Sequence, residues 1–117
     1  MANGKIETYL GFCVRARKVI FGIDNIEKQR KGIRLLIADG ELGKNSFKLM
    51  LQAQEKFNAP LLITENGVLG ERLHRFGVKA VAIIDDNLAS AILSAVDGDL
   101  QFKIYSGGIN GSYGKEI

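Results

Sequence analysis

The sequence predicts an α/β fold: a mostly parallel or mixed sheet covered by helices on both faces. Three observations lead there. The chain has 117 residues and no composition break that would mark a second core. Stretches of helical apolar spacing alternate with short apolar runs of strand length. The connections between them are only a few residues long, as expected where helices pack back onto a sheet.

The elements follow in order. Ile6, Tyr9, Leu10, Cys13 and Val14 repeat at i, i+3, i+4, i+7 and i+8, which gives a first helix over about 4–15 with one buried face. Val19, Ile20 and Phe21 form a short β-rich run that stops at Gly22. A second helix then opens at Ile23 or Asp24 and runs to about Lys31, where Gly32 ends it. Residues 35–38 make a continuous apolar segment before Asp39-Gly40, the signature of a strand buried on both faces.

The third helix begins at Lys44 or Asn45 and is broken by Asn58 and Pro60, with Phe47, Met50, Leu51 and Phe57 near helical spacing. Residues 61–63 read as a strand. Thr64 is placed to cap a fourth helix by offering its hydroxyl near Gly67, with Val68, Leu69 and Leu73 turned inward. Residues 78–84 are the clearest strand. Asp85 or Asp86 caps a last helix, whose apolar positions Ala89, Ile92, Leu93 and Val96 precede Asp97-Gly98. We place the domain over 1–98 and a C-terminal extension over 99–117, in which 101–106 form a possible short strand ahead of a flexible glycine-rich tail.

Composition narrows the function classes. The longest apolar runs fall far short of the ~20 residues that cross a bilayer, and the N-terminus lacks the apolar stretch and cleavage site of a secretory signal. Cys13 is the only cysteine, so no internal disulfide can form, and a cytoplasmic location is expected. One histidine and one cysteine cannot build a structural zinc site, and no metal or other cofactor is expected. A nucleophile would need a base, and His74 stands in no recognisable motif with Cys13. Asp85-Asp86 and Asp97/Asp99 suit caps and turns better than acid–base pairs. No catalytic residue is therefore assigned, and the chain is not expected to be an enzyme.

Charge points to a partner. The formal net charge is +3, but residues 1–34 hold eight bases against three acids, whereas the rest hold eight bases against ten acids. Such concentration attracts a polyanion by steering and counterion release, although a solvated helix face accounts for it equally well. Within 15–28, three bases (Arg15, Arg17, Lys18) sit at the exit of one helix, while Gly22, Ile23, Asp24 and Asn25 start the next. Glycine lets another backbone approach, and Asn25 and Lys28 are donors suited to base edges.

These residues resemble the L-seven-Ae / L-thirty-e ribosomal family, most closely its bacterial YlxQ-like branch. The likeness spans roughly 9–96. It rests on Leu10-Gly11-Phe12-Cys13-Val14-Arg15-Ala16-Arg17-Lys18-Val19, on Gly22 followed by Lys28, and on Leu35-Leu36-Ile37-Ala38. Leu69-Gly70 ahead of Val81-Ala82-Ile83-Ile84-Asp85 completes it.

The resemblance implies a three-layer α/β/α sandwich with a mixed, roughly four-stranded sheet. It also implies a non-catalytic, ribosome-associated RNA-binding protein that recognises kink-turns, sharply bent elements with tandem sheared G·A pairs. Gly22 would permit backbone approach, Lys28 would donate to a guanine edge, and Arg15, Arg17 and Lys18 would hold phosphates, with Lys31 also among the RNA-binding residues. Asp24 and Asn25 stand where the family often has asparagine and glutamate, so amide and carboxylate are exchanged. A second family contact is a loop that cradles an extruded nucleotide. Its counterpart here is His74-Arg75-Phe76-Gly77-Val78-Lys79, in which Phe76 either stacks on a splayed base or packs inward and Arg75 or Lys79 neutralises a phosphate. The alternative class is a protein–protein interaction module of the same fold that has lost RNA binding.

Overall fold

The computed structural model describes residues 4–105. The glycine-rich stretch read as a tail lies outside the described residues. Helix α1 covers Gly4–Arg15, strand β1 Val19–Phe21, α2 Ile23–Glu27 and β2 Leu35–Asp39. They are followed by α3 (Lys44–Phe57), β3 (Leu61–Thr64), α4 (Val68–Leu73), β4 (Ala80–Ile83) and α5 (Asp86–Ala95). A short 3₁₀ turn over Val96–Gly98 leads to β5 (Phe102–Ile104).

Among the described residues the sheet is mixed and has five strands rather than about four, in the order β1-β4-β2-β3-β5. Only β2 and β3 are parallel; β1–β4, β2–β4 and β3–β5 pair antiparallel. The fifth strand is the stretch anticipated as a short strand in a C-terminal extension. It pairs with β3, and Phe102 is buried in the core, so residues 102–104 belong to the sheet itself.

Strand side chains alternate between faces. Leu35, Ile37, Leu62, Val81 and Ile83 pack beneath α1, α4 and α5. Leu36, Ala38, Leu61, Ala80 and Ala82 face Ile26 of α2 and Met50 and Ala53 of α3. The sandwich thus has three layers, with alanines on the α2/α3 side admitting those helices closely. Helix α2 is shorter than its sequence suggests, ending at Glu27. Ile33 is the next residue after Ile26 that this core buries, so nothing anchors 28–32 as helix.

Cys13 is fully buried in the α1 layer, as expected of a core residue. Burial raises its pKa to about 11, so the thiol stays protonated. Among the described residues, no helix is long and apolar enough to cross a membrane.

Candidate nucleic-acid interface

The register brings two distant segments together. Strand β1 ends at Phe21, and the Gly22 N–H continues the ladder by donating to the Ala80 carbonyl at 2.9 Å. Gly22 has φ 89°, a conformation that costs other residues about 1–2 kcal/mol. A Cβ there would meet nothing within 4 Å, so the space above this backbone is open. Ile23 tucks against the α2/α3 core while Asp24 and Asn25 are exposed. The Asn25 amide donates back to the Phe21 carbonyl at 2.9 Å, which locks the turn but spends a donor that the sequence offered to a partner. Lys28 caps the C-terminus of α2, one turn beyond Asp24, and is exposed.

Directly beside Gly22, the chain enters β4 through the second segment. Helix α4 closes at His74 in a left-handed conformation, with Arg75 N–H donating to the Gly70 carbonyl at 2.9 Å. Val78 N–H then donates to the Arg75 carbonyl at 3.3 Å, closing a turn whose third residue is Gly77 at φ 90°. Phe76 occupies the tip and is 93% exposed, which decides against inward packing. The Arg75 guanidinium lies 4.6 Å from the centre of the Phe21 ring, tying the turn to β1. Val78 is half-buried against the α1/α4/α5 core. Lys79 pairs with Glu41 at 3.4 Å, and its carbonyl accepts from Asp39 N–H at 2.9 Å.

Asp39 holds this end of the sheet together. It is 2% exposed, and its carboxylate accepts from Glu41 N–H (2.8 Å), Gly67 N–H (2.9 Å), Leu69 N–H (3.0 Å) and the Thr64 hydroxyl (3.1 Å). Burial alone would raise its pKa, but these donors outweigh that effect and hold the group below the ordinary aspartate value. Thr64 therefore does not cap α4, as its position in the sequence suggests. Its single hydroxyl proton is shared between Asp39 and the Glu65 carbonyl, while Asp39 takes the free amides at the start of α4. The sequence marks Asp39 merely as a turn residue, because three of its four partners lie 25 to 30 positions away.

The basic residues do not all join this site. Arg15, Arg17 and Lys18 precede β1, so they lie at the end of that strand opposite Gly22. Helix α1 also covers the opposite face of the sheet from α2. Lys31 belongs to the connection entering β2, again at the far end. The expectation that these bases cluster around the start of α2 is thus corrected: the bend from α1 into β1 carries them away. Beside Gly22 and Phe76 the exposed charges are mixed: Asp24 lies two residues after Gly22, Arg75 precedes Phe76, and Lys79 pairs with Glu41.

Neighbouring polar residues have structural roles. Arg72 is buried and forms a bidentate pair with Asp99 at 2.8 and 3.2 Å, and also reaches Gln101 at 2.7 Å. The Arg72 guanidinium beside Asp99 holds that carboxyl below its usual range. His74 lies 2.8 Å from Glu7. Among the described residues, no group of three or more His, Cys, Asp and Glu side chains could hold a metal ion.

Comparison with known proteins gives a fold relationship. No family model and no curated protein matches the chain. Among solved structures, the chain is similar to a protein with unknown function from Bacillus halodurans C, with a TM-score of 0.67 and 18% identity. The match covers 80% of this chain and 97% of that one. At this identity the likeness shows the fold alone, a mixed α/β sandwich.

Proposed function

We propose that the chain is a non-catalytic, cytoplasmic RNA-binding protein of the kink-turn-binding type, associated with the ribosome. The observation that carries this reading is the pairing of β1 with β4. It sets the open backbone at Gly22 next to the exposed turn at Phe76, although the two are 54 positions apart in sequence. Regular A-form RNA hides its base edges in a groove too deep and narrow for side chains, whereas a sharp bend exposes edges and splays bases. The open backbone at Gly22 lets an RNA edge come close, and Phe76 offers a ring on which an extruded base stacks. Lys28, Arg75 and Lys79 supply cations around them. The resemblance of 9–96 to the L-seven-Ae / L-thirty-e family supports the same target.

The test is a titration of a kink-turn RNA and a matched uninterrupted duplex over a salt series. The kinked RNA is expected to bind more tightly, with affinity falling as salt rises. Equal affinity for the two RNAs would refute shape recognition. The protein–protein reading draws on Asp24 and Glu41, which dilute the positive charge beside Gly22. A partner that is captured after nuclease treatment and survives Lys28→Ala would favour it.

A further inference from the structure

Among the described residues, β5 stands at an edge of the sheet, and its hydrogen-bond phase fixes which backbone groups it leaves open. Glu65 N–H donates to the Gln101 carbonyl at 3.0 Å, and Tyr105 N–H donates to the Leu61 carbonyl at 2.8 Å. Bonded and non-bonded pairs alternate along an antiparallel ladder, so Gln101, Lys103 and Tyr105 turn their backbone groups toward β3. Phe102 and Ile104 turn theirs the other way. Phe102 N–H is taken by the Asp99 carbonyl at 3.1 Å, which leaves the Phe102 carbonyl and both groups of Ile104 facing the open side. The Ile104 side chain shares the face of Phe102 and is 53% exposed.

The sequence beyond Tyr105 matches this edge in one register. Gly107-Gly108 is a two-residue hairpin signal. Ile109, Tyr113 and Ile117 then alternate with the polar Asn110, Ser112 and Glu116, the pattern of a strand with one apolar face. Residues flanking a two-residue turn form a bonded pair, here Ser106 with Ile109. Counting on by twos, the next bonded pairs are Ile104 with Gly111 and Phe102 with Tyr113, the residues of β5 whose groups face outward. The second hairpin signal, Asn110-Gly111, would instead bond Tyr105 with Glu116, yet Tyr105 N–H already serves Leu61.

Side chains agree with the first register. Directly opposed residues share a face, so Gly111 leaves space opposite Ile104 while Ile109 and Tyr113 flank it diagonally. Lys115 follows on that same face. There the Arg72 guanidinium lies 5.1 Å from the centre of the Phe102 ring, and Glu7, Glu71 and Gln101 help line a cavity of about 350 Å³. Glu71 is exposed and, among the described residues, forms no ion pair. A lysine arriving beside it complements the charge.

We propose that the open edge of β5 is a docking site for residues 109–113 of this same chain, which join it as a sixth, antiparallel strand through a turn at Gly107-Gly108. Docking satisfies the outward groups of Phe102 and Ile104 and covers the Ile104 side chain. It also closes an edge that would otherwise be a template for pairing with another molecule. The proposal holds whatever ligand the Gly22 and Phe76 surface takes.

The experiment is nuclear magnetic resonance with amide exchange on the full chain. Contacts between Hα protons are expected for the non-bonded pairs Lys103 with Ser112 and Tyr105 with Asn110, where the backbones approach most closely. The Ile104 amide is expected to exchange at least about tenfold faster in Gly107→Val/Gly108→Val, whose β-branched residues resist the positive φ of the turn. The Ile37 amide, in central strand β2, keeps its rate, which separates loss of docking from loss of the fold. Three results overturn the proposal: Hα contacts absent or in the Asn110-Gly111 register, contacts seen only between labelled and unlabelled copies in a mixed sample, or an Ile104 amide indifferent to the turn variant. The wild-type contacts decide the matter even if the variant does not fold.

Discussion

At the Gly22 end of the sheet, loops are pinned by buried hydrogen bonds that converge on Asp39; at the Lys18 end, exposed cations extend from the strand ends with few partners. The same three strands produce both ends, so the contrast arises in the connections. Short turns whose amides point inward need an internal acceptor, and Asp39 supplies one. Long cationic side chains at the other end retain their freedom in water, where they contribute little to the fold. The end proposed to present one shape is thus tied down by internal hydrogen bonds, and the end lined with exposed cations is not.

The largest test of that contrast is Asp39→Ala. Three backbone amides and a hydroxyl lose a shared, charged acceptor, and we expect a loss of about 4 kcal/mol in denaturant unfolding. A cost below about 1 kcal/mol would show that water replaces the carboxylate and that this end is not rigidly built. The same group sets an acid limit. Folding lowers its pKa, so its contribution is complete above the unfolded value near 3.8 and disappears as pH falls through the lower folded value. Asp99, lowered by Arg72, acts in the same direction. Unfolding monitored from pH 5 downward should show stability falling in this window, and a flat profile would contradict it.

Gly70→Ala comes next. A Cβ there would lie 2.9 Å from the Arg75 carbonyl oxygen, which is backbone, so the 75–79 turn must shift at a cost of about 2 kcal/mol. Binding to kinked RNA should weaken with it. Phe76→Ala separates recognition from folding: stability should stay within ~0.5 kcal/mol because the ring is exposed, while affinity for the kinked RNA drops about tenfold as the stacking disappears. Smallest is Arg34→Ala. Its exposed pair with Asp86 should cost no more than about 0.5 kcal/mol in a melt.

Much of the fold was legible from periodicity. Helix α1, the buried strand β2 and α5 with its Asp85 cap appear where the apolar spacing puts them, because each buries one continuous face or run. Local pattern failed where partners were distant. Arg72 and Asp99 are 27 positions apart, and neither carries a signal of the other. Thr64 looks like a cap by position, yet Asp39 from a neighbouring strand does that work. The candidate site was legible as two segments, Gly22 to Lys28 and Arg75 to Lys79, and the sheet register joins them. The basic run 15–18 was misplaced because proximity in sequence across a three-residue strand still separates opposite ends of a layer.

The four-donor carboxylate at Asp39 also has a dynamic consequence. The amide protons of Glu41, Gly67 and Leu69 can exchange with solvent only when the end of β2, the start of α4 and the turn between β2 and α3 release together. Deuterium uptake at these sites should be slow and correlated. The face proposed to meet RNA would then exist already formed before any encounter, so that complex formation would cost little freedom in the protein and the ordering would fall on the RNA.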